Sequence, residues 1–150
     1  MRRTLCAGLL CVLAATAAAA DYRVDTENYR DHLRRLQPGD RLLLDPGDYR
    51  RGLPLSNLSG TSGQPIVIEA ADPAMPPRFI ARPGANTASL VDVRHLVLRH
   101  LEFDGRNLPV DAVKAEGHSH YADFITLEYL FIHDHAASQQ NVGISTKCPA

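Results

Sequence analysis

Residues 96–103 read Leu-Val-Leu-Arg-His-Leu-Glu-Phe, and residues 125–132 repeat the pattern as Ile-Thr-Leu-Glu-Tyr-Leu-Phe-Ile. In both segments two apolar residues alternate with other residues, the alternation shifts by one position, and two further apolar residues follow. Because successive side chains of a strand point to opposite faces, such a shift predicts two strands joined by a corner. Two such corners, in matching segments of one chain, predict a coil that repeats.

The segments on either side of these corners give a register between coils. Val91 within 89–94, Val113 within 111–116 and Ile144 within 141–147 occupy equivalent places in similar strands. We expect these three side chains to stack inside the coil, with residues 117–123 inserted between strands. The offset from Val91 to Val113 gives a repeat of about 22 residues, and no helical periodicity follows Leu36. This pattern predicts an all-β parallel solenoid and excludes a doubly wound α/β fold.

Residues 1–20 have the composition of a secretory signal peptide. Arg2 and Arg3 precede an apolar run over residues 5–15, and the segment ends in Ala18-Ala19-Ala20. It is too short to span a bilayer as a stable helix. We therefore expect cleavage before Asp21, a secreted or periplasmic location, and no membrane attachment after cleavage.

Removal of this segment changes the charge and the cysteine count. Fourteen Lys and Arg residues then stand against seventeen Asp and Glu residues, a net charge of −3. This balance gives no basic excess to attract nucleic acid, so we expect no nucleic-acid partner. Only Cys148 remains, so no disulfide is expected within the mature chain; Cys148 is either a free thiol or pairs with a partner beyond Ala150.

The mature length fits one domain, residues 21–150, for which we expect a monomer. The pattern stops within a strand and turn and shows no closing cap. Solenoids require caps because an open coil exposes unpaired backbone groups and an apolar core. The sequence is therefore expected to be the N-terminal part of a longer β-helix, truncated at its C-terminus.

A short amphipathic helix is predicted over about residues 25–36. Tyr29, Leu33 and Leu36 share one helical face, Asp25 is suited to accept hydrogen bonds from the first turn, and Pro38-Gly39 would end the helix. We expect this helix to cap the first coil; the alternative is a short helix packed elsewhere.

Two motifs carry a resemblance to a known family. Leu36-Gln37-Pro38-Gly39-Asp40, followed by Leu44, Pro46-Gly47 and Tyr49, resembles the opening of secreted right-handed parallel β-helix proteins of the pectate-lyase-like superfamily. Residues 60–68, Gly-Thr-Ser-Gly-Gln-Pro-Ile-Val-Ile, are similar to the loop and strand that follow in the alginate-lyase and chondroitinase-B-like branch. The resemblance implies a right-handed β-helix, while the superfamily includes lyases, hydrolases, epimerases and proteins of no known activity.

The resemblance implies, as the first candidate, a polysaccharide lyase that acts on an acidic, uronate-containing glycan by β-elimination. Such an enzyme neutralises the uronate carboxylate, often with Ca²⁺, and a Lys or Arg removes the adjacent proton. The assumed register puts outward side chains in two columns, Asp92–Lys114–Ser145 and Arg94–Glu116–Lys147. We expect Lys114 to be the base, Arg94 and Lys147 to bind the carboxylate, and Asp92 and Glu116 to bind Ca²⁺ or substrate. The alternative is that these alternating charges only stabilise a solvated sheet face.

Histidine supplies a further candidate site. The motifs His118-Ser119-His120 and His133-Asp134-His135 would place two imidazoles on one face of a strand and could hold Zn²⁺. Both motifs fall in expected turns, however, where solvated histidines are the preferred interpretation. On the inserted loop, His118, His120 and Tyr121 are expected to form one wall of a sugar groove.

Two other functions remain open at this stage. The first is a carbohydrate-binding or surface β-helix protein without catalytic activity. The second is a glycoside hydrolase on the same fold, which requires paired carboxylates. Asp104 and Asp134, one after each corner, are the candidates for that pair if the coils keep them in register.

Overall fold

The computed structural model describes residues 18–136 and 144–147. Residues 1–17 of the expected signal peptide, and Cys148, lie outside that part. The elements in chain order are β1 (Asp21–Val24), α1 (Tyr29–Leu33), β2 (Arg41–Leu44), β3 (Asp48–Tyr49), β4 (Leu53–Ser56), β5 (Ile66–Ala70), β6 (Arg78–Ile80), β7 (Ala88–Val91), β8 (Arg94–Arg99), β9 (Glu102–Leu108), β10 (Val113–Glu116), β11 (Asp123–Glu128), β12 (Phe131–His135) and β13 (Ile144–Lys147). Across these residues no helix has both the length and the apolar character needed to cross a membrane.

The strands form three parallel sheets, and from β2 onward consecutive strands of the chain belong to sheets A, B and C in that repeating order. Sheet A holds β1, β2, β5, β8 and β11, sheet B holds β3, β6, β9 and β12, and sheet C holds β4, β7, β10 and β13. All pairings between neighbouring strands are parallel. Three turns are complete from β2 to β10, and β11 to β13 continue the same order. The all-β parallel β-helix expected from the sequence is confirmed.

The predicted corners lie between sheets A and B. Leu96 of β8 is opposite Ile125 of β11, and Glu102 of β9 is opposite Phe131 of β12, which confirms that the two quoted segments are equivalent parts of successive coils. The corner residues His100 and Tyr129 have left-handed φ angles of 55° and 52°, and their rings stack at 4.8 Å. One left-handed residue redirects the chain and reverses which residues point inward.

In sheet C, the expected register is wrong by three residues between β10 and β7. Val113 lies opposite Ile144 as expected, but its neighbour on the earlier coil is Ala88, and Val91 lies opposite Glu116. Asp92 has a φ of 53°, so the alternation reverses there: Leu90 and Val93 are buried, and Val91 faces outward. Ala88, not Val91, therefore stacks with Val113 and Ile144 inside the coil. The repeat of about 22 residues inferred from Val91 and Val113 is wrong.

The cap is confirmed, but its helix is shorter than the expected residues 25–36. Asp25 Oδ1 accepts the N–H groups of residues 27 and 28, which form a turn ahead of α1. At the other end the N–H of Arg35 donates to the carbonyl of His32 at 2.9 Å, and the chain then turns toward Pro38. The apolar face is nevertheless buried as predicted, through Tyr29, Leu33 and Leu36.

A stack of aromatic rings runs through the interior behind sheet B. Tyr29 of the cap contacts Tyr49, Tyr49 contacts Phe79, and Phe79 contacts Phe103, with centroid distances of 5.0, 4.9 and 5.6 Å. All four side chains are fully buried. The Tyr29 hydroxyl donates to the carbonyl of Gly52 at 2.6 Å, which satisfies its polar end. The stack thus joins the cap to three successive coils.

The outer face of sheet A carries a buried carboxylate between two guanidinium groups. Glu69 Oε1 accepts from Arg41 Nη2 at 2.6 Å, and Glu69 Oε2 accepts from Arg99 Nε at 2.5 Å. Burial acts to raise the pKa of Glu69, but the hydrogen bonds from Arg99 and Arg41 outweigh it, and the pKa lies below its ordinary value. The three residues come from β2, β5 and β8, so this group joins three coils.

We predict that Phe79→Ala lowers the free energy of unfolding by about 3–5 kcal/mol, since it leaves a cavity in the aromatic stack. Urea unfolding followed by circular dichroism measures this loss. Phe131→Ala is the matched control, because that ring is 61% exposed. Similar losses in the two variants would contradict the described packing.

We predict that Glu69→Gln lowers the free energy of unfolding by about 1–2 kcal/mol at pH 7. Because the folded pKa lies below the ordinary 4.5, the stabilisation is fully present above about that pH and disappears as pH falls through the folded value. Urea midpoints of the two proteins should therefore converge in acid. Exposed Glu27, changed to Gln, is the control; a gap that stays constant with pH would refute this account.

Candidate functional site

A pocket of about 570 Å³ opens at the corner between sheets C and A. It brings together four of the predicted site residues. The lining side chains are Asn57, Ser59, Asp92, Arg94, His120, Tyr121 and Asp123. We call this the corner pocket.

Asp92 holds the loop that forms one side of the corner pocket. Its Oδ1 accepts the N–H of His118 at 2.6 Å and that of His120 at 3.1 Å, and the N–H of Ser119 reaches both carboxylate oxygens at 3.1 Å. The bond from His118 is the main cause that lowers the pKa of Asp92 from its ordinary value, against the opposite effect of burial. Asp92 therefore positions residues 118–120, and a Ca²⁺ ion would compete with three N–H groups for it.

The lining of the corner pocket also includes an ion pair next to an aromatic ring. Arg94 Nε donates to Asp123 Oδ1 at 2.6 Å, and the Arg94 guanidinium lies 5.5 Å from the centroid of the Phe124 ring. Tyr121 is 63% exposed and lines the pocket with His120. The pocket thus offers a cation, a carboxylate and an exposed phenol to a polar ligand. Of the three residues expected to form a wall, His120 and Tyr121 line this pocket and His118 does not.

Of the other predicted site residues, Lys114, Glu116 and Lys147 lie on the neighbouring outer face of sheet C, and His118 lies in the loop after β10. Lys114 is opposite Ser145 and Glu116 is opposite Lys147, as expected. On the earlier coil, however, Ser89 and Val91 occupy the places assigned to Asp92 and Arg94. The two predicted columns are wrong there because the register is shifted by three residues. Asp92 lies at the corner and Arg94 belongs to sheet A.

Contacts within sheet C already engage the expected base. Lys114 Nζ lies 3.0 Å from Glu116 Oε1, and the second Glu116 oxygen lies 3.8 Å from His118 Nε2. A role for Lys114 as base, or for Glu116 as a Ca²⁺ ligand, would require this pair to separate. These roles remain predictions.

A second group of polar side chains lies on the outer face of sheet B. His133 of β12 is opposite Asp104 of β9, and Asp134 follows at a bulge with a φ of 53°. One ligand atom from each of Asp104, His133 and Asp134 lies within 4.8 Å of the others. We call these three residues the carboxylate cluster. Its two carboxylates are the pair that the corner spacing suggested.

His133 links the carboxylate cluster to the strand below. Its Nδ1 lies 2.9 Å from Asp134 Oδ2, and its Nε2 lies 3.1 Å from Glu102 Oε1. The hydrogen bond with Asp134 raises the pKa of His133 above its ordinary value; burial opposes this and Glu102 adds to it. His133 therefore holds its proton more tightly than a free imidazole does. The donor set of one imidazole and two carboxylates also suits a divalent cation.

The expectation that His133 and His135 lie in a turn is wrong, because both belong to β12. They do not converge on one metal ion either. The His135 ring packs against Gly105, and its Nδ1 lies 3.0 Å from the carbonyl oxygen of Val110. His118 and His120 do lie in the loop, as expected. The sequence contained one signal for the pairing of His133 with Asp104. The two corner segments are equivalent, and equivalent strands of successive coils pair with each other.

The fold has a counterpart among solved structures. Native and selenomethionine crystal structures of a GH136 lacto-N-biosidase from Eubacterium ramulus match with TM-scores of 0.66 and 0.64, each at 21% identity, over 87% and 86% of this chain. The chain spans 30% of the length of that enzyme. No protein-family model matches the chain, and no curated protein does. The match confirms the β-helix; membership of the alginate-lyase and chondroitinase-B-like branch remains a prediction.

We predict that Asp92→Asn releases the loop at residues 118–120, since an amide supplies one acceptor oxygen where the carboxylate supplies two. Amide hydrogen exchange there should accelerate about tenfold. Asp72→Asn is the control, because Asp72 caps only its own turn through the N–H of Ala74. Unchanged exchange at residues 118–120 would contradict the anchoring role.

Proposed function

We propose that this chain is part of a secreted, carbohydrate-active β-helix protein, and that it is a glycoside hydrolase rather than the polysaccharide lyase that the resemblance implied. The observation that carries the proposal is the carboxylate cluster. Asp104 and Asp134 project from successive coils on one outer face, with one carboxylate oxygen of each within 4.8 Å of the other. Similarity to a lacto-N-biosidase supports the same class, although at 21% identity it establishes only the fold.

An oxygen of Asp104 lies within 4.8 Å of an oxygen of Asp134, and this limit fits a retaining mechanism better than an inverting one. Retaining glycosidases place their carboxyl groups about 5–5.5 Å apart, whereas inverting enzymes leave about 6.5–9.5 Å for a water molecule. One carboxylate attacks the anomeric carbon while the other protonates the departing oxygen. Water then hydrolyses the glycosyl–enzyme bond, and the second carboxyl group recovers its proton from that water.

The two carboxylates of the cluster have different neighbours. His133 Nδ1 lies 2.9 Å from Asp134 Oδ2, and we assign the nucleophile role to Asp134. Asp104 Oδ1 accepts the N–H of Arg106 at 2.9 Å, and the acid and base role falls to Asp104 as the other member of the pair. Phe131 stacks on His133 at 4.6 Å and is 61% exposed, so it offers an aromatic face to a sugar ring beside the carboxylates.

The ion pairs of the predicted lyase residues give weaker support to lyase chemistry. Its expected base, Lys114, is paired with Glu116 at 3.0 Å, and Arg94 is paired with Asp123 at 2.6 Å. Both cations would have to leave a carboxylate before they could act on a uronate. An acidic polysaccharide and a Ca²⁺ ion at Asp92 and Glu116 therefore remain secondary proposals.

A second candidate function, glycan binding without cleavage, is favoured by the corner pocket. Tyr121 offers a largely exposed ring there, and Arg94 and His120 supply polar contacts to hydroxyl or carboxylate groups. A short oligosaccharide bound in this pocket would need no reacting group. The corner pocket and the carboxylate cluster can be tested separately.

We predict that Asp104→Asn and Asp134→Asn each reduce glycan hydrolysis by about 10²–10⁴-fold, because each removes one of the two carboxyl groups that the reaction requires. The exported protein is incubated with neutral and uronate-containing oligosaccharides, and reducing ends are quantified. The anomeric configuration of the first product is read by nuclear magnetic resonance, with retention expected. Asp31→Asn, on the cap helix, is the control.

Other outcomes identify the alternatives. An unsaturated product that absorbs in the ultraviolet, and that disappears in Lys114→Ala, would replace the hydrolase proposal by the lyase. Glycan binding that is lost in Tyr121→Ala, without any shortened product, would establish the binding function instead. Hydrolysis that persists in both Asn variants would refute the assigned carboxylate pair.

A further inference from the structure

Asp40 is a buried carboxylate at the base of the solenoid, 2% exposed. One of its oxygens accepts the N–H of Ala20 at 2.9 Å, and the other accepts the N–H of Gln37 at 2.8 Å. Both side-chain hydrogen bonds recorded in the described part of the chain thus come from uncharged backbone groups. Burying a carboxylate without a positive partner is costly, so the identity of the donor at Ala20 matters.

Ala20 is also the first residue of the described part of the chain that is hydrogen-bonded to the sheet. Its carbonyl oxygen accepts the N–H of Arg41 at 2.8 Å, directly ahead of the rungs that pair β1 with β2. Ala18 and Ala19 before it are exposed. Among residues 18–136, these hydrogen bonds to the sheet thus begin at Ala20, one residue before the Asp21 at which the mature chain was expected to start.

The sequence alone does not distinguish two adjacent cleavage sites. Signal peptidases require small residues at the first and third positions before the cut bond. Ala19 and Ala17 meet this requirement for the bond before Ala20, and Ala20 and Ala18 meet it for the bond before Asp21. The second cut would remove both the N–H that Asp40 accepts and the carbonyl that Arg41 needs, whereas the first cut keeps both.

We propose that the mature protein begins at Ala20 and that its new α-ammonium group forms an ion pair with the buried carboxylate of Asp40. The signal peptidase adds water across the Ala19–Ala20 amide bond. Ala19 leaves with the new carboxylate, and the amino group of Ala20 takes up a proton. The amide nitrogen already lies 2.9 Å from Asp40 Oδ1, so the ammonium can form there without moving the chain.

In this arrangement, removal of the signal peptide adds to the stability of the folded protein. In the precursor Asp40 receives a neutral amide N–H, and in the mature chain it receives a charged donor, which forms a stronger hydrogen bond. The first coil is thus fully stabilised only after the signal peptide has been removed. The inference concerns maturation and is independent of the hydrolase proposal.

The first test is the N-terminus itself. The complete precursor is expressed in a secreting host, and the exported protein is analysed by intact mass and N-terminal sequencing. Ala20 as the first residue is the expected result. An exported chain that starts at Asp21 or elsewhere, or that keeps residues 1–19, would overturn the proposal.

The second test isolates the charge. Chains that extend from Ala20 to Ala150 are prepared with a free or an acetylated N-terminus, next to a chain that begins at Asp21. We expect the free Ala20 chain to have an unfolding equilibrium constant about tenfold smaller than either of the others. Asp40→Asn should abolish the effect of acetylation, whereas Asp45→Asn, which removes a carboxylate paired with Arg23, should preserve it. If acetylation leaves the parent chain's stability unchanged, no ion pair forms, and this reading holds even if Asp40→Asn fails to fold.

Discussion

The parallel hydrogen bonds between the same strand of successive coils are the constraint on which the rest of the structure depends. They fix Ile125 above Leu96 and His133 above Asp104, although a whole coil of chain separates the members of each pair. Neighbouring strands lie about 4.8 Å apart, so outward side chains of adjacent coils are held within reach of one another. The carboxylate cluster depends on this register, which places His133 beside Asp104, and on the bulge at which Asp134 follows.

Acidic side chains serve three different purposes on this framework. Glu69 is buried between two guanidinium groups and ties three coils together. Asp92 binds backbone N–H groups through both of its oxygens and shapes a loop. Asp104 and Asp134 lie close to each other on an outer face, together with His133. The first two arrangements stabilise the fold, and the third is the basis of the hydrolase proposal.

The sequence predicts those parts of the fold that follow from local alternation. The corners after residues 96–99 and 125–128 were predictable because aliphatic residues mark the inward positions on both sides. The register of sheet C was not, because Val91 and Val93 continue an apparent alternation through Asp92, whose left-handed conformation reverses it. The hydropathy of a segment contains no information on the φ angle of a single residue. The anchoring of residues 118–120 was likewise hidden, since it depends on main-chain donors of a distant segment.

The alternation of inward and outward residues has an evolutionary consequence. Coil lengths differ widely: the stretch from Leu53 to its partner Ala88 is much longer than the stretch from Ile80 to its partner Asp104, and the extra residues are accommodated between strands. Because inward and outward residues alternate, an outward residue can be exchanged without disturbing the hydrophobic interior. Because each coil contacts only its neighbours, whole coils can be duplicated without disturbing the others. A β-helix protein can therefore gain coils and new surface residues during evolution. Its fold is retained even after the sequences of its relatives have diverged.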